Sequence, residues 1–475
     1  MPVIPSPANL LQDQTSLHEF LIDCQATAEA KQQVQIVSLS LRLATVDPLA
    51  LLGVIGQAAA PVHFYLEKPA QAEAIAAFAP ILQRQFAGAE RFDQAKQFLH
   101  HAQTNAIAAG DLDLPLAGPR FYCSFSFFDQ VPADSPFPAA TVFLPRWQVG
   151  CGQGQTVGVF NLLVSADSDL EDLTIQVWQD LQTIKAAPGL ASSWSNHDLP
   201  QLNSSAAGAV FKAAVNAALE SICSDRFSKL VLAHAVDVSL PQPVDLGQSL
   251  AQMRQHYPDC YIFCLGNGQG QQFIGASPER LISLQGQELI TDALAGSAPR
   301  GDSLSTDTAL AAELLSSDKD LREHQVIVDF IHQHLQQLQI TPRRSPPPHL
   351  LQLANIQHLQ TLITARVPAH LHLLDILAEL HPTPAVAGAP RAIACEQIRR
   401  YENFDRHLYA APLGWIDQQG NGEFIVGIRS ALIDGCQTRL YAGAGIVAGS
   451  DPDKELAEIN LKLQTLLSAL VWGSG

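Results

Sequence analysis

The stretch Phe273-Ile-Gly-Ala-Ser-Pro-Glu-Arg-Leu-Ile282 limits what this chain can fold into more than any other. It has the composition of a strand and an interruption in its middle. Apolar runs with strand character flank it at residues 261–265 and 288–291, and Gly266-Asn-Gly268 and Gln285-Gly286 supply the turns that join such runs into a meander. Gly275 and Pro278 are expected to interrupt strand pairing, and Glu279 comes at the break. A carboxyl at an irregular point between apolar strands is shielded from water. Its pKa then rises, which suits it to give up a proton near neutral pH. An exposed Glu at a strand end would have the same surroundings in sequence.

Several other segments have the composition of a binding site. Asp292-Ala-Leu-Ala-Gly-Ser-Ala-Pro-Arg-Gly301 is built of small residues that let a ligand approach the backbone, and its amides could meet an anion. An ordinary turn reads the same way. In His381-Pro-Thr-Pro-Ala-Val-Ala-Gly388 prolines fix the backbone and side chains stay small, as suits either a tight pocket or a rigid connector. Gly443-Ala-Gly-Ile-Val-Ala-Gly449 is not a dinucleotide fingerprint, because its third glycine is misplaced and too little chain follows; amides beside a small ligand fit better. Lys229 heads the apolar run 229–240. A buried lysine there could lose its proton and act as a base, and an exposed one would lay its stem on the apolar surface. Arg429 follows Ile425-Val-Gly-Ile428 and needs an anionic partner from the protein or from a ligand.

Two helices each carry acids three residues apart. The helical region 306–340, broken near Ser316-Ser317, holds Asp320 and Glu323; the last helix, capped by Ser450 or Asp451 with Pro452 in its first turn, holds Glu455 and Glu458, with Lys462 four residues on. If the pairs face each other, four carboxylates converge and repel unless a cation joins them, and an all-oxygen ligand set selects Mg2+. Two solvated helix faces satisfy the same spacing. The formal charge of −18 argues against nucleic acid or an anionic membrane as partner, and it obliges the protein to supply local positive charge or a metal to any anionic substrate. The eight cysteines form no C-x-x-C, no secretory leader is evident and no run is long enough to span a membrane, so reduced thiols in a cytoplasm are expected.

Along the chain, residues 1–15 read as a loose tail. Strands are expected at 34–43, 62–66, 120–128, 140–144 and 156–164, and helices over 69–108 and 170–185. In 120–128, Phe121, Cys123, Phe125 and Phe127 alternate onto one face. Small and polar residues at 186–205 mark the best boundary, dividing a region 1–205 from a region 206–475. A helix at 206–223 is expected to bury Val210, Ala214, Ala218 and Ile222. Residues 341–348 must be a loop, His349, His358, His370 and His372 read as surface or hydrogen-bonded histidines, 373–380 is a short helix, and strands return at 414–416, 424–428 and 438–442. In the region before that boundary strands and helices mix without strict alternation.

The motifs taken together resemble the chorismate-utilising enzymes. The matching segments, in order, are Lys229-Leu-Val-Leu-Ala, Ile274-Gly-Ala-Ser-Pro-Glu-Arg-Leu281, Ala293-Leu-Ala-Gly-Ser-Ala-Pro-Arg-Gly301, Asp318-Lys-Asp-Leu-Arg-Glu-His324, His381-Pro-Thr-Pro-Ala-Val386, Gly427-Ile-Arg-Ser430, Tyr441-Ala-Gly-Ala-Gly-Ile446 and Glu455-Leu-Ala-Glu458. Residues 1–200 match more loosely. The resemblance is closest to the isochorismate synthases: Lys229 falls where the hydroxyl-transferring members carry a water-activating lysine, Leu294-Ala-Gly-Ser297 looks like their form, and salicylate-forming relatives tend to have Thr where this chain has Ala385.

The resemblance implies an α+β fold of two stacked, mainly antiparallel sheets flanked by helices, with the two regions forming one structural unit. It implies Lys229 as base and Glu279 as acid, Mg2+ on Glu323 and Glu458 with Asp320 and Glu455 beside or behind them, and Arg429 and the amides around Gly443 on the enolpyruvyl carboxylate. Gly296, Ser297, His381 and Ala385 would shape the ring pocket, and Lys462 would support the carboxylate or the acid cluster. The implied reaction turns chorismate into isochorismate for menaquinone or phylloquinone synthesis, without a glutaminase subunit. The rival readings are an aminodeoxychorismate synthase, a salicylate synthase and a non-catalytic chorismate-binding protein.

Overall fold

The structure is a computed structural model and describes residues 13–54, 61–187, 205–224, 226–345 and 347–470. The tail at 1–12 and residues 188–204 of the expected boundary lie outside them. Strands before residue 205 are β1 (Gln35–Leu43), β2 (His63–Lys68), β3 (Glu73–Phe86), β4 (Ala106–Gly110), β5 (Arg120–Phe125), β6 (Ala140–Gly152) and β7 (Gln155–Val164). After it come β8 (Lys229–Ser239), β9 (Tyr261–Gly266), β10 (Gln271–Ser277), β11 (Arg280–Gln285), β12 (Glu288–Pro299), β13 (Arg343–Arg344), β14 (His349–Gln352), β15 (Ile356–Arg366), β16 (Gly388–Ala389), β17 (Pro412–Asp417), β18 (Gly422–Val426), β19 (Ser430–Asp434) and β20 (Gln437–Val447). The helices are α1 (Gln14–Lys31), α2 (Pro48–Val54), α3 (Arg91–Thr104), α4 (Leu170–Lys185), α5 (Ser205–Cys223), α6 (Leu246–His256), α7 (Leu304–Ser316), α8 (Asp318–Gln337), α9 (Leu373–Leu380), α10 (Arg391–Tyr401) and α11 (Pro452–Leu470).

The strands form one hydrogen-bonded ladder with two arms, an α+β arrangement flanked by helices. Among the described strands every pairing is antiparallel except that of β1 with β4. The first arm runs β4-β1-β7-β6-β3-β2-β9-β10-β19-β20-β8-β16. The second leaves β6 through β5 and runs β17-β18-β11-β12-β15, with β13 and β14 along the outer side of β15. The arms meet through side chains: the rings of Phe64 on β2 and Tyr122 on β5 lie 4.9 Å apart, and Lys68 Nζ is 2.6 Å from Glu423 Oε2. Strands from either side of residue 205 pair directly, β2 with β9 and β5 with β17.

Two strands are each cut in the middle and change arm at the cut. β10 belongs to the first arm and continues as β11 in the second; β19 belongs to the first and β18 to the second. Because β10 pairs with β19 and β11 with β18, the two cuts lie side by side. Pro278 makes one of them, since it has no N–H to offer a ladder. At the other, Arg429 adopts a left-handed φ of 49°. The Val426 N–H donates to the Glu279 carbonyl (3.1 Å), the Ala276 N–H to the Arg429 carbonyl (3.1 Å), and the Ser277 hydroxyl to the Val426 carbonyl (2.6 Å).

Gly275 does not interrupt pairing as expected: it is in register with both Phe263 and Ser430. It is a glycine for want of space, because a Cβ there would lie 2.6 Å from the Arg429 carbonyl oxygen and 2.7 Å from the Phe263 ring. Gly275→Ala is therefore expected to destabilise the fold by about 1–3 kcal/mol, the usual cost of overpacking, as measured by the shift in denaturant midpoint. An unchanged midpoint would show that the junction yields more easily than its contacts imply.

Other expectations need correction. The segment 69–108, rich in Ala and Gln, is not helical throughout: 73–86 is β3 and 106–110 is β4, with α-helix only at Arg91–Thr104. Ala74 to Phe78 are buried between β2 and β6, where small side chains let both faces be covered, and a register shift after Pro80 accommodates a residue that would break a helix. The alternation at Arg120–Phe125 is present, yet Tyr122 and Ser124 are as buried as Phe121 and Cys123. On α5 the buried line is Phe211, Val215, Ala218 and Ile222, while Val210 is 51% exposed. Within 341–348, Arg343–Arg344 does pair, with Thr364 and Ile363. The break in the long helical region falls where expected, Ser317 closing α7 and capping α8. All eight cysteines are free thiols, and no described helix is long and apolar enough to cross a membrane.

Candidate active site

Lys229 and Glu279 open into one cavity of about 220 Å3 where the two arms diverge. Both are almost fully buried, at 3% and 4% exposure. Lys229 is the first residue of β8, and its Nζ donates to Glu323 Oε1 on the facing helix α8 at 2.7 Å. Burial alone would raise the Glu323 carboxyl; the Lys229 ammonium outweighs it and holds that carboxyl below its ordinary range. Glu279 sits in the cut between β10 and β11. Burial, with the neighbouring Asp292 charge adding and Lys229 opposing, pushes its carboxyl up to about 8. It therefore carries a proton at neutral pH and can donate it. A proton donor and an amine thus share one space withdrawn from bulk water.

Arg429 projects from the second cut into the same cavity. Among the described residues no carboxylate pairs with it; its Nη2 donates to His358 Nε2 at 2.9 Å. An Arg can only donate, so His358 Nε2 accepts, its Nδ1 bears the hydrogen, and that N–H reaches Ser297 Oγ at 2.9 Å. Burial first, and then the Arg429 charge, holds His358 well below its ordinary pKa, so the ring is neutral. The guanidinium accordingly keeps its charge for an anion in the cavity. Gly296 has a φ of 74° and forms the bulge between Ala295 and Ser297 that turns the Ser297 side chain toward His358.

Gly443 and Ala233 face each other across β20 and β8 as a pair that exchanges no hydrogen bond. The Ala233 N–H goes instead to Glu402, and the Gly443 carbonyl accepts from Lys462 Nζ at 2.9 Å. Carbonyl and amide of one residue point the same way in an antiparallel strand, so the Gly443 N–H also leaves the ladder on the cavity side. Lys462 in addition pairs with Glu458 at 2.7 Å.

Asp320, Glu323, Glu455 and Glu458 all line the cavity, from the first two turns of α8 and α11. They are not drawn together into a ready ligand cage: among the described residues no three His, Cys, Asp or Glu side chains are gathered to hold a metal. Glu323 is engaged by Lys229, Glu458 by Lys462, and Asp320 by the hydroxyl of Ser317. Glu455 is raised by burial, with the Glu458 charge contributing. This set of oxygen donors fits a hard divalent cation of the Mg2+ type, which takes one or two carboxylates and completes its shell with water and substrate oxygens.

Ala385 lines the cavity as expected, together with Val386. His381 does not. Its ring lies edge-on to Phe127, its Nε2 is bonded to the Phe127 carbonyl at 3.2 Å, and burial pushes it down to about 3, so it belongs to the packing beneath the pocket. Several cavity residues are not singled out by the sequence, among them Lys319, Tyr409 and His358, the last of which reads there as a surface or hydrogen-bonded histidine. Nothing in the linear pattern of 356–366 marks His358; its neighbour Ser297 comes only from the pairing of β12 with β15. Lys319 is next to Asp320 and brings to four, with Lys229, Arg429 and Lys462, the cations lining a cavity in an acidic protein.

The model of the chorismate binding enzymes matches residues 20–471. The chain belongs to the chorismate-binding enzymes. The salicylate biosynthesis isochorismate synthase of Pseudomonas aeruginosa is 32% identical over 455 residues, covering 93% of this chain and 92% of that protein. Isochorismate synthase MenF of Bacillus subtilis is 37% identical over 257 residues, 54% of each chain. Among solved structures, MenF, the menaquinone-specific isochorismate synthase from Escherichia coli, superposes with a TM-score of 0.75 at 27% identity, over 95% of this chain and all of that one (100%). The family match runs through the region before residue 205 as well as the motif-rich half, in keeping with strands from both pairing in one ladder.

Proposed function

We propose that this chorismate-binding enzyme is an isochorismate synthase, converting chorismate to isochorismate by adding water at C2 with loss of the C4 hydroxyl. The observation that carries the reading is the burial of Lys229 and Glu279 in one cavity with Arg429. Lys229, as the neutral amine left once its ammonium has given up a proton, acts as the base that removes a proton from the attacking water, and Glu279 protonates the departing hydroxyl as the ring double bonds shift. A base and an acid at one ring, with the acid still protonated at neutral pH, is the pairing this displacement needs. Arg429 and the Gly443 amide hold the enolpyruvyl carboxylate, while Gly296, Ser297 and Ala385 bound the ring.

Glu323 and Glu458 would hold Mg2+, with Asp320 and Glu455 beside them and Lys462 steadying Glu458. When bound, the ion supplies positive charge to the ring carboxylate of the substrate. The Lys229 ammonium occupies only Glu323 Oε1, so a cation at this carboxylate would share it with the lysine. The enzyme works in the cytoplasm without a glutaminase subunit, and its product feeds menaquinone or phylloquinone synthesis. The E. coli relative is described as menaquinone-specific, whereas the Pseudomonas relative is named for salicylate. Complementation of strains blocked in one pathway or the other separates these uses.

Purified protein incubated with chorismate and Mg2+, with and without ammonium, is expected to give isochorismate in both cases. Amine product appearing only with ammonium would make it an aminodeoxychorismate synthase. Pyruvate release would make it a salicylate synthase, and tight binding without turnover a non-catalytic chorismate-binding protein.

A further inference from the structure

We infer that Arg406, clamped by Glu402, is the positioning residue that sets the Lys229-bearing strand and the Ala385 segment at their working distance from each other. The inference rests on the proposed reaction in this cavity. Arg406 is fully buried, 0% exposed, and touches no cavity space itself. Its guanidinium joins three pieces of chain. Nη2 donates to the Val231 carbonyl on β8 at 2.8 Å, Nη1 to the Val386 carbonyl at 2.8 Å, and Nε to Glu402 Oε2 at 2.8 Å, with a second Nη2 contact to Glu402 Oε1. Its flat face lies 4.3 Å from the Phe127 ring and 5.8 Å from that of Tyr409. Glu402 Oε1 also accepts the Ala233 N–H at 2.7 Å.

These bonds fall on one side of β8. The other side of that strand pairs with β20 down to Lys229, but here only the two residues of β16 continue the ladder, opposite Lys229 and Leu230. Val231 and Ala233 would otherwise present outward-pointing backbone groups to a gap; Ala387, Arg406 and Glu402 fill it. The residues so tied, Val231, Val386 and Tyr409, are all part of the cavity wall, and Lys229 and Ala385 are immediate or near chain neighbours. A planar fork can bind two carbonyls and a carboxylate at once, and an ammonium on a flexible stem cannot.

Removing one member of a buried ion pair leaves the other uncompensated, whereas replacing both can be nearly neutral for stability. The test therefore uses the double variant Glu402→Gln/Arg406→Met and the conservative Arg406→Lys, beside wild type. For Arg406→Lys the expected result is unchanged KM for chorismate and kcat lowered by about 100-fold, the size of a roughly 1 Å misplacement of a reacting group. For the double variant a melting temperature near that of wild type with the same loss of kcat is expected. In both, amide hydrogen exchange should quicken at 229–233 and 385–387 and stay as in wild type elsewhere. Wild-type kcat in either variant, or exchange rates unaltered in those two segments, would overturn the inference and leave the pair a purely structural one. Should the double variant fail to fold, Arg406→Lys decides alone. Failure of wild type to convert chorismate would instead refute the proposed function, and the exchange data would still report on the clamp.

Discussion

Lys229→Ala is expected to lower kcat for chorismate by roughly 10²–10⁴-fold while leaving chorismate binding measurable by calorimetry. The substitution removes the amine that lines the cavity and contacts the acid-bearing helix α8 through Glu323. It also strands the Glu323 carboxylate in a site where burial disfavours its charge, which should cost about 1–3 kcal/mol of stability. The two effects separate in the double variant Lys229→Ala/Glu323→Gln. That variant should recover the stability, because no uncompensated charge remains, and should stay inactive, because no base has been restored. Turnover near the wild-type rate in the single variant would sink the assignment of Lys229.

Glu279→Gln is expected to lower kcat by a comparable roughly 10²–10⁴-fold and, unusually for an active-site change, to make the protein more stable at neutral pH. The carboxyl is raised from its ordinary 4.5 to about 8 by burial, aided by Asp292. Between those limits the folded protein holds a proton that the unfolded chain has lost. The stability associated with this group is therefore complete at low pH and drains away as pH rises through the window. Glutamine never ionises and escapes the drain. Integrated from 4.5 to pH 7 at about 1.4 kcal/mol per pH unit, the gain is about 3 kcal/mol, and it should vanish below pH 4.5. Urea titrations at pH 4 and pH 7 read this directly. In wild type the same titration should appear as an alkaline fall in kcat/KM near pH 8, since the charged form has no proton to give. A Glu279→Gln variant that neither slows the reaction nor gains stability at pH 7 would mean that the acid is solvated and is not the donor.

How far the sequence could be read depended on whether a signal was local. Glu279, Lys229 and the two acid pairs declared themselves through short motifs and helix spacing, and Asp451 through capping chemistry, which is set within one turn. β3 is not legible because alanine composition argues for helix, and only its pairing on either side, with β2 just before it and with β6 far along the chain, makes a strand of it. Gly275 was read as a break, yet its smallness answers a contact with Arg429, more than 150 positions away. His381 opens a segment that does reach the cavity, and the three residues between it and Ala385 are enough to carry it beneath the wall. His358, Glu402 and Arg406 left no linear trace, since each acquires its role from strands and loops brought together by the ladder.

The side-by-side cuts in β10–β11 and β18–β19 also govern how such a protein can change over time. Insertions and deletions are ordinarily absorbed by surface loops, but one added or lost residue between 271 and 285, or between 422 and 434, would turn every following side chain to the opposite face of its arm. Glu279 or Arg429 would then point away from the substrate, whatever the rest of the pocket looked like. Chain length across this crossing is frozen, and lineages that acquire new chemistry on this scaffold must do so by exchanging single side chains around a crossing they inherit intact.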